Sequence, residues 1–186
     1  MSLTTLDIKE PGLNVLPPGV ERHTIVAGGL TGLQIFPDDE IEIINDEGNQ
    51  ICEIVCFNKD GKSELGILSL KENNKNNFIK EILNNKDESS LATNYQLKKR
   101  NLNINTSKSA IVFDIDTESG EKLKFKSKDK CYVIFAAPQN NMLISDQNPS
   151  SDLTIFVKRS KIKNDKELSV IPDPVYEPNY EKNIDR

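Results

Sequence analysis

Three groups of side chains in this 186-residue sequence have types and spacings on which chemistry could rest. The first is Asn49, Gln50 and Glu53, two amides and a carboxylate that leave the turn Asp46-Glu47-Gly48-Asn49 and enter a strand, where they could be aimed into the mouth of a β structure. They are the candidate ligand-binding residues, with turn formation the competing role of Asn49. The second is His23, the only histidine. A Ser-His-Asp relay would have to use it, and no Gly-x-Ser-x-Gly elbow accompanies it, so a structural or surface histidine is expected. The third is Cys52, Cys56 and Cys131. Cys52 and Cys56 fall on one face of a strand but about 13 Å apart, too far for one zinc ion to join. They read as reduced core thiols. Asp38, Asp39 and Glu40 form an acidic turn without EF-hand spacing and are expected to be hydrated loop carboxylates. Gly28-Gly29 through Gly32 lacks a Walker lysine and a Rossmann pattern. No catalytic residue, no metal site and no cofactor is expected for this chain.

The elements that must carry these groups are mostly strands. Ile41, Ile43, Ile51, Ile54 and Phe57 lie on runs where apolar and polar residues alternate, which suits strands with one face on a core. Pro37-Asp38-Asp39 feeds one strand, Asp46 to Asn49 reads as a hairpin turn with Gly48 supplying a positive φ, and Glu118-Ser119-Gly120-Glu121 reads as another. The period changes in the middle. Phe78, Ile79, Ile82 and Leu83 make one apolar helical face, with Asn76 or Asn77 placed to cap it. A second helix is expected from about 89 to 99, with Leu91, Ala92 and Tyr95 inward. Strands resume over 110–115, 122–125, 131–136 and 153–157. The fold class is mainly β: an antiparallel barrel-like or sandwich domain with a small helical insertion at about residues 76–99. Lys122, Lys124, Lys126, Lys128 and Lys130 alternate along one segment, as on the solvated face of an edge strand. The Asn-rich stretch 73–77 reads as compositional bias.

Composition sets the limits. With 29 acidic and 24 basic residues the net charge is −5, and no basic stripe interleaved with aromatics marks a nucleic-acid binder. No run approaches the roughly 18 apolar residues of a membrane helix, and MSLTTLDIKEPG lacks the order of a signal peptide. A cytoplasmic protein follows, in keeping with an odd number of core-type cysteines. Residues 1–17 are expected to be a flexible segment, 18–160 one β-rich domain, and 161–186, proline-containing and charged, either a linker of a chain cut from something longer or the disordered tail of a complete protein.

Pro18-Gly19, a strand at His23 to Ala27, Gly28-Gly29, a strand into Pro37-Asp38-Asp39-Glu40-Ile41-Glu42-Ile43, then Asp46-Glu47-Gly48-Asn49-Gln50 and Glu53 through Phe57-Asn58 together resemble the urea carboxylase-associated domain. The same residues also resemble the related N-terminal segments of some multidomain glycine cleavage T-protein-like aminomethyltransferases. The resemblance covers mainly residues 18–58, with a weaker echo at Cys131 to Pro138. The family usually carries Asp where this chain has Glu53. It implies an accessory or docking domain without catalysis of its own, partnered by the remainder of its own polypeptide or a methyltransferase subunit. Tetrahydrofolate would belong to that parent. The alternative it implies is a small-molecule hydrolase or deiminase subunit acting on a urea or guanidine derivative. A cupin-like ligand-sensing barrel lacks the clustered histidines it would need. An enzyme would need an open polar pocket around Gln50 and Glu53, whereas an accessory domain would have a filled interior.

Overall fold

The computed structural model describes residues 16–74, 77–139 and 149–161. Eight strands run in chain order: β1 (Val20–Ile25), β2 (Leu30–Ile35), β3 (Glu40–Asn45), β4 (Cys52–Asn58), β5 (Ser109–Phe113), β6 (Glu121–Lys126), β7 (Cys131–Ala136) and β8 (Leu153–Lys158). They form two antiparallel four-stranded sheets, β1-β8-β3-β6 and β2-β7-β4-β5. That order is the jelly-roll arrangement of two facing sheets. The expected β class therefore holds in its sandwich form, and the helical insertion is present as α1 (Phe78–Leu83) and α2 (Glu88–Lys99).

The burial pattern of each strand explains its place. In β3, Ile41 and Ile43 face the interior while Glu40 and Glu42 face outward, the alternation of a sheet with one wet side. In β4 and β7 every residue but Asn58 is buried, because both faces are covered. Cys52, Ile54 and Cys56 meet Ile41, Ile43, Leu153, Ile155 and Val157 between the sheets. Val55, Phe57, Tyr132 and Ile134 pack outward against Ile79, Ile82 and Leu83 of α1 and Leu97 of α2. The layers are thus helices, covered sheet, open sheet. β6 is an edge strand with Lys122, Lys124 and Lys126 exposed, as the lysine alternation suggested.

Three local expectations are corrected. Asp46–Asn49 and Glu118–Glu121 are not hairpins: each carries the chain from one sheet to the other, since β3 and β6 belong to one sheet and β4 and β5 to its partner. The two corners bond to each other instead. Asn49 N donates to Thr117 O, Gly120 N to Asn45 O and Ser119 Oγ to Asp46 O. Gly48, at φ 79°, fits here because a Cβ would lie 2.7 Å from Ser119 N. Turn chemistry specifies the bend but not which sheet receives the next strand. In α2, Leu91, Ala92 and Tyr95 are exposed and Ser90, Thr93 and Leu97 are inward. Ser90 Oγ donates to Ile82 O, so the small polar stripe lets the two helices approach.

Candidate functional site

Glu53 lies on the helix-facing side of β4 and is fully buried. Its Oε1 accepts from Asn74 Nδ2 at 2.6 Å, and its Oε2 from the backbone N of Ile79 at 2.7 Å. This carboxylate, from a strand, satisfies one of the amides that the first turn of α1 leaves without a helical partner. Asn77 precedes the helix but makes no side-chain cap bond, and Asn76 lies outside the described residues. Burial pushes the Glu53 carboxyl above its ordinary value, while hydrogen bonds from Ser109, Ile79 and Asn74 pull it back. The asparagines set aside as compositional bias have work: Asn74 holds Glu53, and Asn73 exchanges bonds of 2.7 and 2.9 Å with the backbone of Ile111, covering the edge of β5.

Gln50 is also fully buried. Its Nε2 donates to Ile51 O (3.0 Å) and Pro138 O (2.9 Å), and its Oε1 accepts from Ser151 N at 2.8 Å. One amide therefore ties the entry of β4 to the segment after β7 and the approach to β8. Asn49 sits in the left-handed region at φ 55°, at the corner. The three residues singled out in the sequence thus hold three different places, and their bonding partners differ.

A cleft of about 740 Å³ opens beside two of them. Its walls are the turn after β1 (Val26 to Gly29), Phe78, Glu81 and Ile82 of α1, the start of α2, and Pro138-Gln139. Gln50 and Glu53 do not line it but stand behind it: Gln50 fixes Pro138, and Glu53 fixes Ile79, next to Phe78. Gly28, at φ 76°, donates its N to Ala137 O at 2.7 Å, and a Cβ there would run into Gln139. Three carboxylates line the cleft, Glu81, Asp87 and Glu88. Asp87 is occupied as the cap of α2, accepting from Ser90 N and Ser89 Oγ at 2.8 Å, and the bond from Ser90 N lowers its pKa. Among the described residues the cleft lining contains no histidine, and the one hydroxyl on it, that of Ser89, donates to the cap carboxylate of Asp87.

A second polar cluster sits where β8 ends. Arg159 is 8% exposed; its Nη1 donates to Asp39 Oδ2 at 2.7 Å and to Gln34 O, and its Nε and Nη2 grip Glu21 at 2.8 and 2.9 Å. Asp39 also accepts from Phe36 N and Ser160 N. The hydrated-loop expectation therefore fails for Asp39, whose side chain is 2% exposed, while Asp38 remains open and meets Lys126. His23 Nε2 lies 3.1 Å from Glu21 Oε2. That bond, against the cost of burial and with the help of Arg159, lowers Glu21 to about 2. Arg159 and Asp39 are 120 positions apart, so no local pattern announces the pair. All three cysteines are buried and unpaired, and burial pushes the Cys52 thiol up. Among the described residues no three His, Cys, Asp or Glu side chains group as a metal site, and no helix is long and apolar enough to cross a membrane.

No protein-family model matches the chain. It is similar to the trimethylamine-oxide aldolase of Ruegeria pomeroyi, with 30% identity over 171 residues. The similarity takes in 92% of this chain and 22% of that enzyme, so the chain spans about a fifth of the length of the curated relative it matches.

Proposed function

We propose that the chain is a non-catalytic accessory module of a larger enzyme of the trimethylamine-oxide aldolase kind, acting through the remainder of its own polypeptide or an associated subunit. The observation that carries this reading is the use of the buried polar side chains. Each heteroatom of the Gln50 amide and both carboxylate oxygens of Glu53 are taken up by bonds within the fold. The space between the sheets is filled by Ile, Val, Leu, Phe and Cys. Gln50 and Glu53 would then support the walls of the cleft, and Asn49 the corner before β4, without touching a ligand. The β-rich unit of residues 18–160 would be the module, working in the cytoplasm, where its unpaired buried thiols stay reduced.

A parent with a glycine cleavage T-like aminomethyltransferase part, and tetrahydrofolate bound by that part, is supported by the resemblance of residues 18–58 alone. The competing reading is a subunit that takes a urea or guanidine derivative in the cleft. The carboxylates Glu81 and Glu88, beside Asp87, favour it because they suit a cationic guest.

The test is an assay of the purified 186-residue chain for consumption of trimethylamine oxide, urea and guanidine compounds, alone and mixed with the enzyme it would serve. No turnover by the chain alone, and none lost from the mixture with Glu81→Gln/Glu88→Gln, is the expected result. Turnover by the chain alone that disappears in that double variant would overturn the accessory reading.

A further inference from the structure

We propose that the outer face of the open sheet is a docking groove for the chain's own residues 167–181. This goes beyond the accessory reading and does not depend on it. Strand register sets the face in three rows: Val20, Lys158, Glu40 and Lys126; Arg22, Phe156, Glu42 and Lys124; Thr24, Thr154, Ile44 and Lys122. Five cations stand against two carboxylates on it. Lys124 pairs with Glu42 at 3.6 Å and Lys126 with Asp38 at 3.1 Å, while Arg22, Lys122 and Lys158 make no ion pair among the described residues. No described helix covers this side. A groove of about 680 Å³ runs along it, with Val20, Phe125, Phe156 and the entering residues Leu16 and Pro17 among its walls.

The occupant is chosen by charge, composition and reach. Residues 167–181 read ELSVIPDPVYEPNYE: four acids, no lysine or arginine, three prolines, and Val175, Tyr176 and Tyr180 as apolar anchors. Acids complement the unpaired cations, and proline-tyrosine segments suit aromatic-lined grooves. The chain leaves the fold beside the groove, since Lys158 lines it and Ser160 is pinned to Pro37 O and Asp39. Six residues beyond Lys161 span up to about 20 Å, against about 14 Å across four strands. The segment can therefore cross the whole sheet. Residues 1–15 carry only two acids and one lysine, a poorer match to a cationic face.

The chain has no tryptophan, so Tyr176→Trp in the full chain gives a single reporter. The expected result is blue-shifted indole emission that is independent of protein concentration and moves toward the solvated value with added salt. The shift should be lost when Phe156→Ser is added. Lys122→Glu/Lys124→Glu should do the same from exposed positions, which keeps the test decisive if Phe156→Ser fails to fold. Emission of a solvated indole unchanged by either set would overturn the proposal. So would a blue shift that grows with concentration, which would make the occupant a second copy, or one that survives both sets of substitutions.

Discussion

The two outer faces of the sandwich are built from strands of similar length and opposite fate. On the covered face Val55, Phe57, Tyr132 and Ile134 lie under two helices. On the open face Glu40, Glu42, Ile44 and Phe156 stand among lysines. The contrast is sharpest between two glutamates. Glu42 is partly exposed and meets Lys124 across the sheet; Glu53 is fully buried and holds the first turn of α1. Each sits between two inward-facing apolar residues on its strand, Ile41 and Ile43 for Glu42, Cys52 and Ile54 for Glu53. What separates them, among the described residues, is that α1 and α2 pack over the face that carries Glu53 and no described segment packs over the face that carries Glu42.

The largest test of this contrast is truncation of one phenylalanine on each face. Phe57→Ala should cost about 3–5 kcal/mol in denaturant unfolding, because the cavity opens in a packed layer. Phe156→Ala should cost less, about 1–2 kcal/mol, at a partly exposed site. Equal losses would mean that the open face is covered as tightly as the other.

Next in size is Glu53→Ala, expected to cost about 2–4 kcal/mol because Ile79 N loses its carboxylate acceptor in a buried place and Asn74 Nδ2 keeps only Ser109 Oγ. Hydrogen exchange should rise in α1 before the rest of the fold. Glu42→Ala should stay within about 0.5 kcal/mol, as exposed pairs do.

The pH dependence separates buried from bridged carboxylates. Glu53 has a folded pKa raised above 4.5, so its contribution is fully present below 4.5 and is lost as pH climbs through the raised value. Glu53→Gln should flatten that limb of a stability-versus-pH curve. Glu21, lowered to about 2 at the end of the sandwich, has the opposite sign: its contribution is present above 4.5 and fades as pH falls toward 2. Glu21→Gln should flatten the acid limb and leave the other alone. Urea midpoints between pH 2 and 8 for the three proteins read both effects.

The smallest effect on stability is expected at the open edge. Lys122→Ala/Lys124→Ala should change unfolding by about 0.5 kcal/mol or less, yet favour self-association, since charged edge residues oppose strand-to-strand pairing. Light scattering of the double variant against the parent chain checks this. A large stability loss without association would place those lysines in a structural role.

Much of this fold is legible in the residues. Alternation marks β3 and β8, the unbroken run CYVIFA marks β7 as covered on both sides, and FIKEIL marks a short amphipathic helix. The lysine alternation of β6 announces an edge. Gln50 and Glu53 are also picked out by their polarity next to a turn, but not their tasks, because their partners Ser151 and Asn74 lie 101 and 21 positions away. Arg159 with Asp39 is invisible for the same reason. The inward stripe of α2 misleads, since Leu91 and Tyr95 are apolar yet face out and Ser90 faces in.

By itself the sequence determined which segments are strands, which middle segment is helical and where the chain must bend, because those depend on spacing, turn residues and side-chain shape within a few positions. Only the tertiary structure decided that the bends after β3 and before β6 are sheet-to-sheet corners, that the two described helices roof one face and not the other, and that a buried glutamate serves as the cap of α1. Such outcomes rest on pairings between distant segments. A corner and a hairpin use the same residues, and the choice between them is made by where the next strand finds its hydrogen bonds and its apolar cover.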